Sequence, residues 1–281
     1  MKKFTSLWLS IMITSITLLF PQCKKKDILR PAISKEELGK MIFFNESLSN
    51  PAGQSCGSCH AVNTAFTDPA HSIVSPGIVD GLFGQRNAQT ISYSMFAPAL
   101  HFDSLNSTYA GGLFWDGRVN SLEEQATKPF FAPLEMNNTD INMFISKVEN
   151  AAFYPSLIDI YGNSNDPQMV LNNVVDALAA FERSPEVNPF TSKFDYYLKG
   201  EAKLSSAEYA GMLLFKDTAK AKCGNCHTMD PDPASGKTLF TDFTYDNIGV
   251  PRNLFNPFYT IQPIYNPSGE TFIDYGLANT T

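Results

Sequence analysis

The sequence predicts a mainly α-helical protein built from two similar domains, and three observations carry that reading. Apolar residues recur at helical spacing over residues 120–127, 140–149 and 168–183, and no alternating run is long enough to argue for a sheet. The two halves echo each other: Gly39-Lys40-Met41-Ile42-Phe43 precedes Cys56-Gly57-Ser58-Cys59-His60, and Gly211-Met212-Leu213-Leu214-Phe215 precedes Cys223-Gly224-Asn225-Cys226-His227. Residues 185–189, bounded by two prolines, read as a linker, which divides the chain between 186 and 187.

The N-terminus reads as an export signal over residues 1–22. Lys2 and Lys3 form a positive start, and residues 8–20 form an apolar run shorter than the roughly 20 residues a membrane-spanning helix needs. Cys23 closes the run and looks like a bacterial lipoprotein acceptor, although the small residues that usually precede such a Cys are missing. The alternative is a Cys left in an uncleaved or differently cleaved signal. The expected location is the periplasm, with a lipid anchor on a membrane.

Two helix starts carry a capping box, Ser34 with Glu37 and Ser205 with Glu208, and each opens the helix that holds a G-x-x-[IL]-F stretch. The duplicated unit is therefore a helix, a loop and a C-x-x-C-H turn. In the long central helix, Met169, Val170, Val174, Leu178 and Phe181 form an apolar stripe expected to be ordinary core. Gly, Pro and Asn crowd residues 50–84 and 230–269, which are expected to be long loops that wrap something other than the chain itself.

Composition excludes several classes. Hydrophobic residues make up 43% of 281, enough for a packed core, and nothing suggests disorder, collagen or a disulfide scaffold. The net charge of −7 and the lack of a basic stretch argue against nucleic acid as a partner.

Of the five Cys, all but Cys23 lie in the two C-x-x-C-H units. Disulfides or zinc could use four Cys, but neither explains a His immediately after each pair. Haem attachment does. Two thiols on one helical turn add to the two vinyl groups of one haem, and the adjacent His becomes the proximal iron ligand. Two covalent haems are expected, on Cys56, Cys59 and His60 and on Cys223, Cys226 and His227. A His or Met on the far side of an iron makes an electron carrier, whereas an empty far side can bind peroxide. The other histidines, His71 and His101, read as loop or surface residues, and Met229 is too near His227 in sequence to cross the ring.

The stretch Phe114-Trp115-Asp116-Gly117-Arg118, then Ser121-Leu122-Glu123-Glu124-Gln125-Ala126, Pro129 and Pro133-Leu134-Glu135-Met136, together with Gly84-Gln85-Arg86-Asn87, resembles the bacterial di-haem cytochrome c peroxidase family. That family includes the enzymes that mature the tryptophan-derived quinone cofactor of methylamine dehydrogenase. The resemblance runs from about Glu37 to the end of the chain. It implies two cytochrome c-like haem domains, a peroxidatic one over 31–186 and an electron-transfer one over 187–281. Trp115 looks like the relay between the haems, Glu135 like the acid–base carboxylate above the first, Gln125 and Pro129 like shapers of its pocket, and Asn87 like a calcium ligand. Without the resemblance, Trp115 would be a core aromatic and Glu135 a solvated loop acid.

The implied reaction is reduction of hydrogen peroxide to water. Electrons would come from a small donor protein, a cytochrome c or a cupredoxin, through the second haem and Trp115. The alternatives are oxidation of a protein or organic substrate at the same iron, and a plain electron-transfer cytochrome. A homodimer is also among the expected partners. Two departures stand out. Where other members carry a ligating His in an S-I-G-H stretch, this chain has Ser75-Pro76-Gly77-Ile78-Val79, so the first haem is expected to be open. The second domain is expected to be truncated at the C-terminus, with the far-side ligand of its haem beyond Thr281.

Overall fold

A computed structural model describes residues 32–281, so the expected signal segment and Cys23 lie outside the described residues. Helix α1, Lys35–Phe43, starts on the anticipated capping box: Glu37 N–H donates to Ser34 Oγ at 3.1 Å, and Ser34 N–H donates to Glu37 Oε2 at 2.8 Å. The short α2, Cys56–Cys59, carries the first thiol pair. Helices α3 (Leu122–Phe131), α4 (Ile141–Asn150) and α6 (Pro167–Glu182) fall where the apolar spacing put them. Helix α5, Tyr154–Tyr161, and α7, Lys193–Leu198, were not anticipated, because eight and six residues are too few to establish a period. Helix α8, Ser206–Lys216, begins on the second capping box, Ser205 with Glu208.

The core is the meeting of α1 with α6, closed by α3, α4 and α5. Leu38, Ile42 and Phe43 bury against Val174, Ala177, Leu178 and Phe181, and the rings of Phe43 and Phe181 stand 5.2 Å apart. Each of these side chains larger than Ala contributes about 1.5–3 kcal/mol by leaving water. The α6 stripe is core as expected, except that Met169 is 51% exposed at the start of the helix. The close approach of the two helices rests on Gly39, where an added Cβ would lie 1.9 Å from the Ala177 carbonyl oxygen.

Two findings differ from the expectation. A two-stranded antiparallel sheet pairs β1, His101–Asp103, with β2, Thr108–Ala110, in strands too short to show an alternating run. The segment read as a linker is packed instead of solvated. Val187 is fully buried, and the Asn188 amide donates to the carbonyls of Glu182 and Ser184 while its oxygen accepts from Tyr93 N–H at 2.6 Å. The proline signals were right about the end of α6, but they say nothing about burial. The chain after α8 also folds back on the first half. Tyr245 OH donates to Gly111 O at 2.9 Å, and Thr244 bridges Ala110. Among the described residues no helix is long and apolar enough to cross a membrane.

Candidate functional site

Ser55 opens α2, whose single turn places Cys56 and Cys59 on one side as free thiols. Both line a cavity of about 390 Å³, as does His60 at the helix end. Burial pushes the thiols up, Cys56 to about 12 and Cys59 to about 11, so both are protonated near neutral pH. Burial lowers the His60 imidazole, which favours the neutral, ligating form. Its Nδ1 lies 3.1 Å from the Phe66 carbonyl oxygen; that contact assigns the proton to Nδ1 and leaves Nε2 as the free ligand atom. A thiol pair one turn apart and an oriented imidazole on one cavity wall fit a covalently attached haem. The volume is within the usual range for cofactor pockets.

The other walls bring together the five first-half residues to which the resemblance gave roles. Glu135, Gln125, Pro129, Trp115 and Asn87 all line this cavity. Gln125 and Pro129 are one helical turn apart on α3, whose N-cap Ser121 accepts from Glu124 N–H at 3.1 Å. Glu135 sits in the turn after α3, clamped by Ile78 N–H, which donates to its carbonyl at 2.9 Å. Gly77 allows that clamp, since a Cβ there would meet the Leu134 oxygen at 2.5 Å. Burial raises the Glu135 carboxyl above its ordinary value, and the nearby Arg118 cation opposes this without cancelling it.

Trp115 is 49% exposed; its indole N–H donates to the Asn87 carbonyl at 2.8 Å, which ties the Trp115 loop to the segment beside His60. The Asn87 side chain itself donates to Ser72 O and Ile73 O at 3.1 and 3.3 Å. Among the described residues no cluster of three or more His, Cys, Asp or Glu is set to hold a metal ion. His71 and His101 are exposed and lie outside the cavity lining, in keeping with a surface reading, although His101 stands on β1 and not in a loop.

Sequence reasoning missed a charged chain behind this wall. Arg86 donates to Asp274 through Nε at 2.6 Å and through a terminal nitrogen at 2.7 Å, and to Asp116 at 2.7 Å. Asp116 also accepts from Arg118 at 2.8 Å, and Arg118 stacks 3.7 Å from the Phe114 ring centre. The signal was present, because Arg86, Asp116 and Arg118 all stand in the quoted motifs, but which acid each arginine meets depends on the fold.

The second C-x-x-C-H unit repeats the first in detail. His227 Nδ1 lies 3.0 Å from the Phe240 carbonyl, as His60 does from Phe66. Phe66 and Phe240 both have φ of 56°, and each packs edge-on against the last Phe of its G-x-x-[IL]-F helix, Phe43 at 6.2 Å and Phe215 at 6.0 Å. The missed signal is a repeated T-x-F-T-D, Thr64-Ala65-Phe66-Thr67-Asp68 and Thr238-Leu239-Phe240-Thr241-Asp242. The two sites differ in cover. Cys226 and His227 are exposed, and α8 buries none of its residues.

The fold and this paired arrangement define a di-haem c-type protein, and comparison gives its family. The sequence model described as "Di-haem cytochrome c peroxidase" matches residues 33–203. The chain is 34% identical to methylamine utilization protein MauG of Paracoccus denitrificans over 246 residues, covering 85% of this chain and 62% of that protein. It is 30% identical to cytochrome c peroxidase Ccp of Escherichia coli, covering 69% of this chain and 37% of that one. The solved structure of the di-haem peroxidase BthA from Burkholderia thailandensis superposes with a TM-score of 0.76 at 35% identity, covering 90% of this chain and 61% of that one. The chain belongs to the di-haem cytochrome c peroxidase family, a family of oxidoreductases, and spans about three-fifths of the length of MauG and BthA.

Proposed function

We propose that the protein is a peroxidase that reduces hydrogen peroxide to water at its first C-x-x-C-H site, with electrons from a small redox protein. The observation that carries this is the single cavity shared by Cys56, Cys59, His60 and Glu135. Cys56 and Cys59 would hold one haem and His60 its iron; Cys223, Cys226 and His227 would hold the second. A haem held there would supply, through its iron, the electrons that cleave the peroxide O–O bond. Glu135 would take a proton from peroxide on a carboxylate oxygen and return it to the departing oxygen, which leaves as water; two electrons from the donor protein and two protons from solvent release the other oxygen as a second water. A carboxyl raised above its ordinary value suits both roles. Gln125 and Pro129 narrow the approach, and Arg118 holds positive charge beside the reacting oxygens. Trp115, pinned to Asn87, serves as the aromatic relay for electrons from the second site.

In this reading residues 31–186 are the peroxidatic domain and 187–281 belong to the electron-transfer domain. Residues 1–22 direct export to the periplasm, and Cys23 carries a lipid. Asn87, with its amide nitrogen anchored on two carbonyls, would offer its side-chain oxygen to a calcium ion. A second reading, oxidation of a protein or organic substrate, is favoured by the half exposure of Trp115, which leaves a ring at the surface from which electrons could be drawn. Capping of the first iron by a histidine is disfavoured, since neither His71 nor His101 lines the first cavity.

The test is peroxide-dependent oxidation of a reduced cytochrome c or cupredoxin by haem-matured protein. Turnover that is lost in Cys56→Ala/Cys59→Ala supports the proposal. Turnover equal to that of free haem in the parent protein contradicts it.

A further inference from the structure

Glu182, the last residue of α6, has no role in the reading above, and it is the strangest group on the cavity wall. It lines the cavity beside Cys56 and is 5% exposed. Among the described residues nothing makes a hydrogen bond or ion pair to its carboxyl. A carboxyl buried without a partner is costly unless it is neutral. Its place in the helix makes it odder still, since it follows Leu178 by one turn on the face that packs the core.

The charges around Glu182 are accounted for. Arg183, the cap residue that follows, is turned to Glu123 of α3 in a two-bond pair of 2.6 and 3.1 Å. From α1, Lys35 is held by Asp176 and Lys40 by Glu186, both at the surface. From α4, Lys147 reaches the Ser49 carbonyl, and from α5, Tyr161 donates to Asp176. From α2 the facing titratable group is the Cys56 thiol, which Glu182 pushes upward. Burial, opposed by Arg183 and aided by Glu123, raises the Glu182 carboxyl to about 8. At pH near and above that value it is partly or wholly a carboxylate, able to take up a proton.

We propose that Glu182 is a proton-binding group coupled to the redox state of the first haem. When a one-electron donor reduces that site, Glu182 takes one proton from solvent onto a carboxylate oxygen. When the electron leaves, the O–H bond breaks and the proton returns to solvent. No other bond changes. The physical reason is local charge: an added electron makes a neighbouring carboxylate less favourable, and a neutral carboxyl makes an added electron more favourable. Electron arrival at a buried pocket thus needs no uncompensated negative charge. The inference rests on the reading that Cys56 and Cys59 carry a haem.

The test is a redox titration of the haem-loaded protein from about pH 5 to about pH 10, following the first haem by its own spin-state bands. One coupled proton changes the reduced-to-oxidised ratio at fixed potential by up to tenfold per pH unit within the coupling window. The parent should lose reduced haem as pH rises through that window. Glu182→Gln, and as a second variant Glu182→Met, should match the parent at the acid end and stay flat where the parent falls. Parallel profiles in parent and variants would overturn the proposal and assign the slope to haem propionates or to Glu135. Protein with no haem on Cys56 and Cys59 would overturn the functional reading and this inference with it. Haem present with an unchanged slope would overturn the inference alone.

Discussion

Gly39 lies against the carbonyl of Ala177 so tightly that a Cβ at position 39 would come within 1.9 Å of the oxygen. Gly211 holds the same place in the repeated helix, and nothing stands within 4 Å of where its Cβ would be. Gly39→Ala should therefore force α1 from α6 and destabilise the protein by about 1–3 kcal/mol, despite the better helix propensity of Ala. Gly211→Ala should stabilise α8 by about 0.8–1 kcal/mol. Denaturant midpoints of the two variants check this. Equal effects at both positions would mean that the two helices are packed alike.

The first haem is expected to be open or to hold only water on its far side. Ser75-Pro76-Gly77-Ile78-Val79 packs on the Glu135 turn and offers no ligand, and His71 and His101 are outside the cavity. The oxidised spectrum should contain a high-spin component that survives His71→Ala and His101→Ala. Conversion of a fully low-spin first haem to high-spin by either change would identify that His as the ligand.

Stability should carry a pH signature from Glu182. Its carboxyl is raised from 4.5 to about 8 in the folded chain, so between those values the folded state binds more protons than the unfolded one. Stability from this group is fully present below about pH 4.5 and is lost as pH rises to about 8, at a slope of roughly 1.4 kcal/mol per pH unit. Glu182→Gln should remove that slope and be more stable than the parent at pH 8. A parent and variant with parallel pH–stability curves would show that the folded carboxyl is not raised.

Much of this was legible before any coordinates. Helices α3, α4 and α6 declared themselves by period, α1 and α8 by their capping boxes, and the haem-attachment units by a His that no other Cys chemistry explains. The residues on the cavity wall were legible only as positions in a familiar pattern. The local sequence around Glu135 does not say that Gly77 and Ile78 fold over it. Pairings across long separations were not legible at all. Arg86 meets Asp274 across 188 residues, and no local rule chooses that acid over its neighbours. Glu182 was not singled out in the sequence, because its solitude is a property of the packed cavity.

The most direct test of the central claim, that Glu135 moves the proton during peroxide cleavage at the first haem, is stopped-flow mixing of haem-loaded parent and Glu135→Gln with peroxide. General acid–base help is typically worth about 10²–10⁴-fold, so the variant should react slower by that order. Its covalent haem content and resting spectrum should match the parent, because Glu135 holds neither thioether nor iron. A Glu135→Gln protein that consumes peroxide at the parent rate would remove Glu135 from the mechanism and favour an electron carrier.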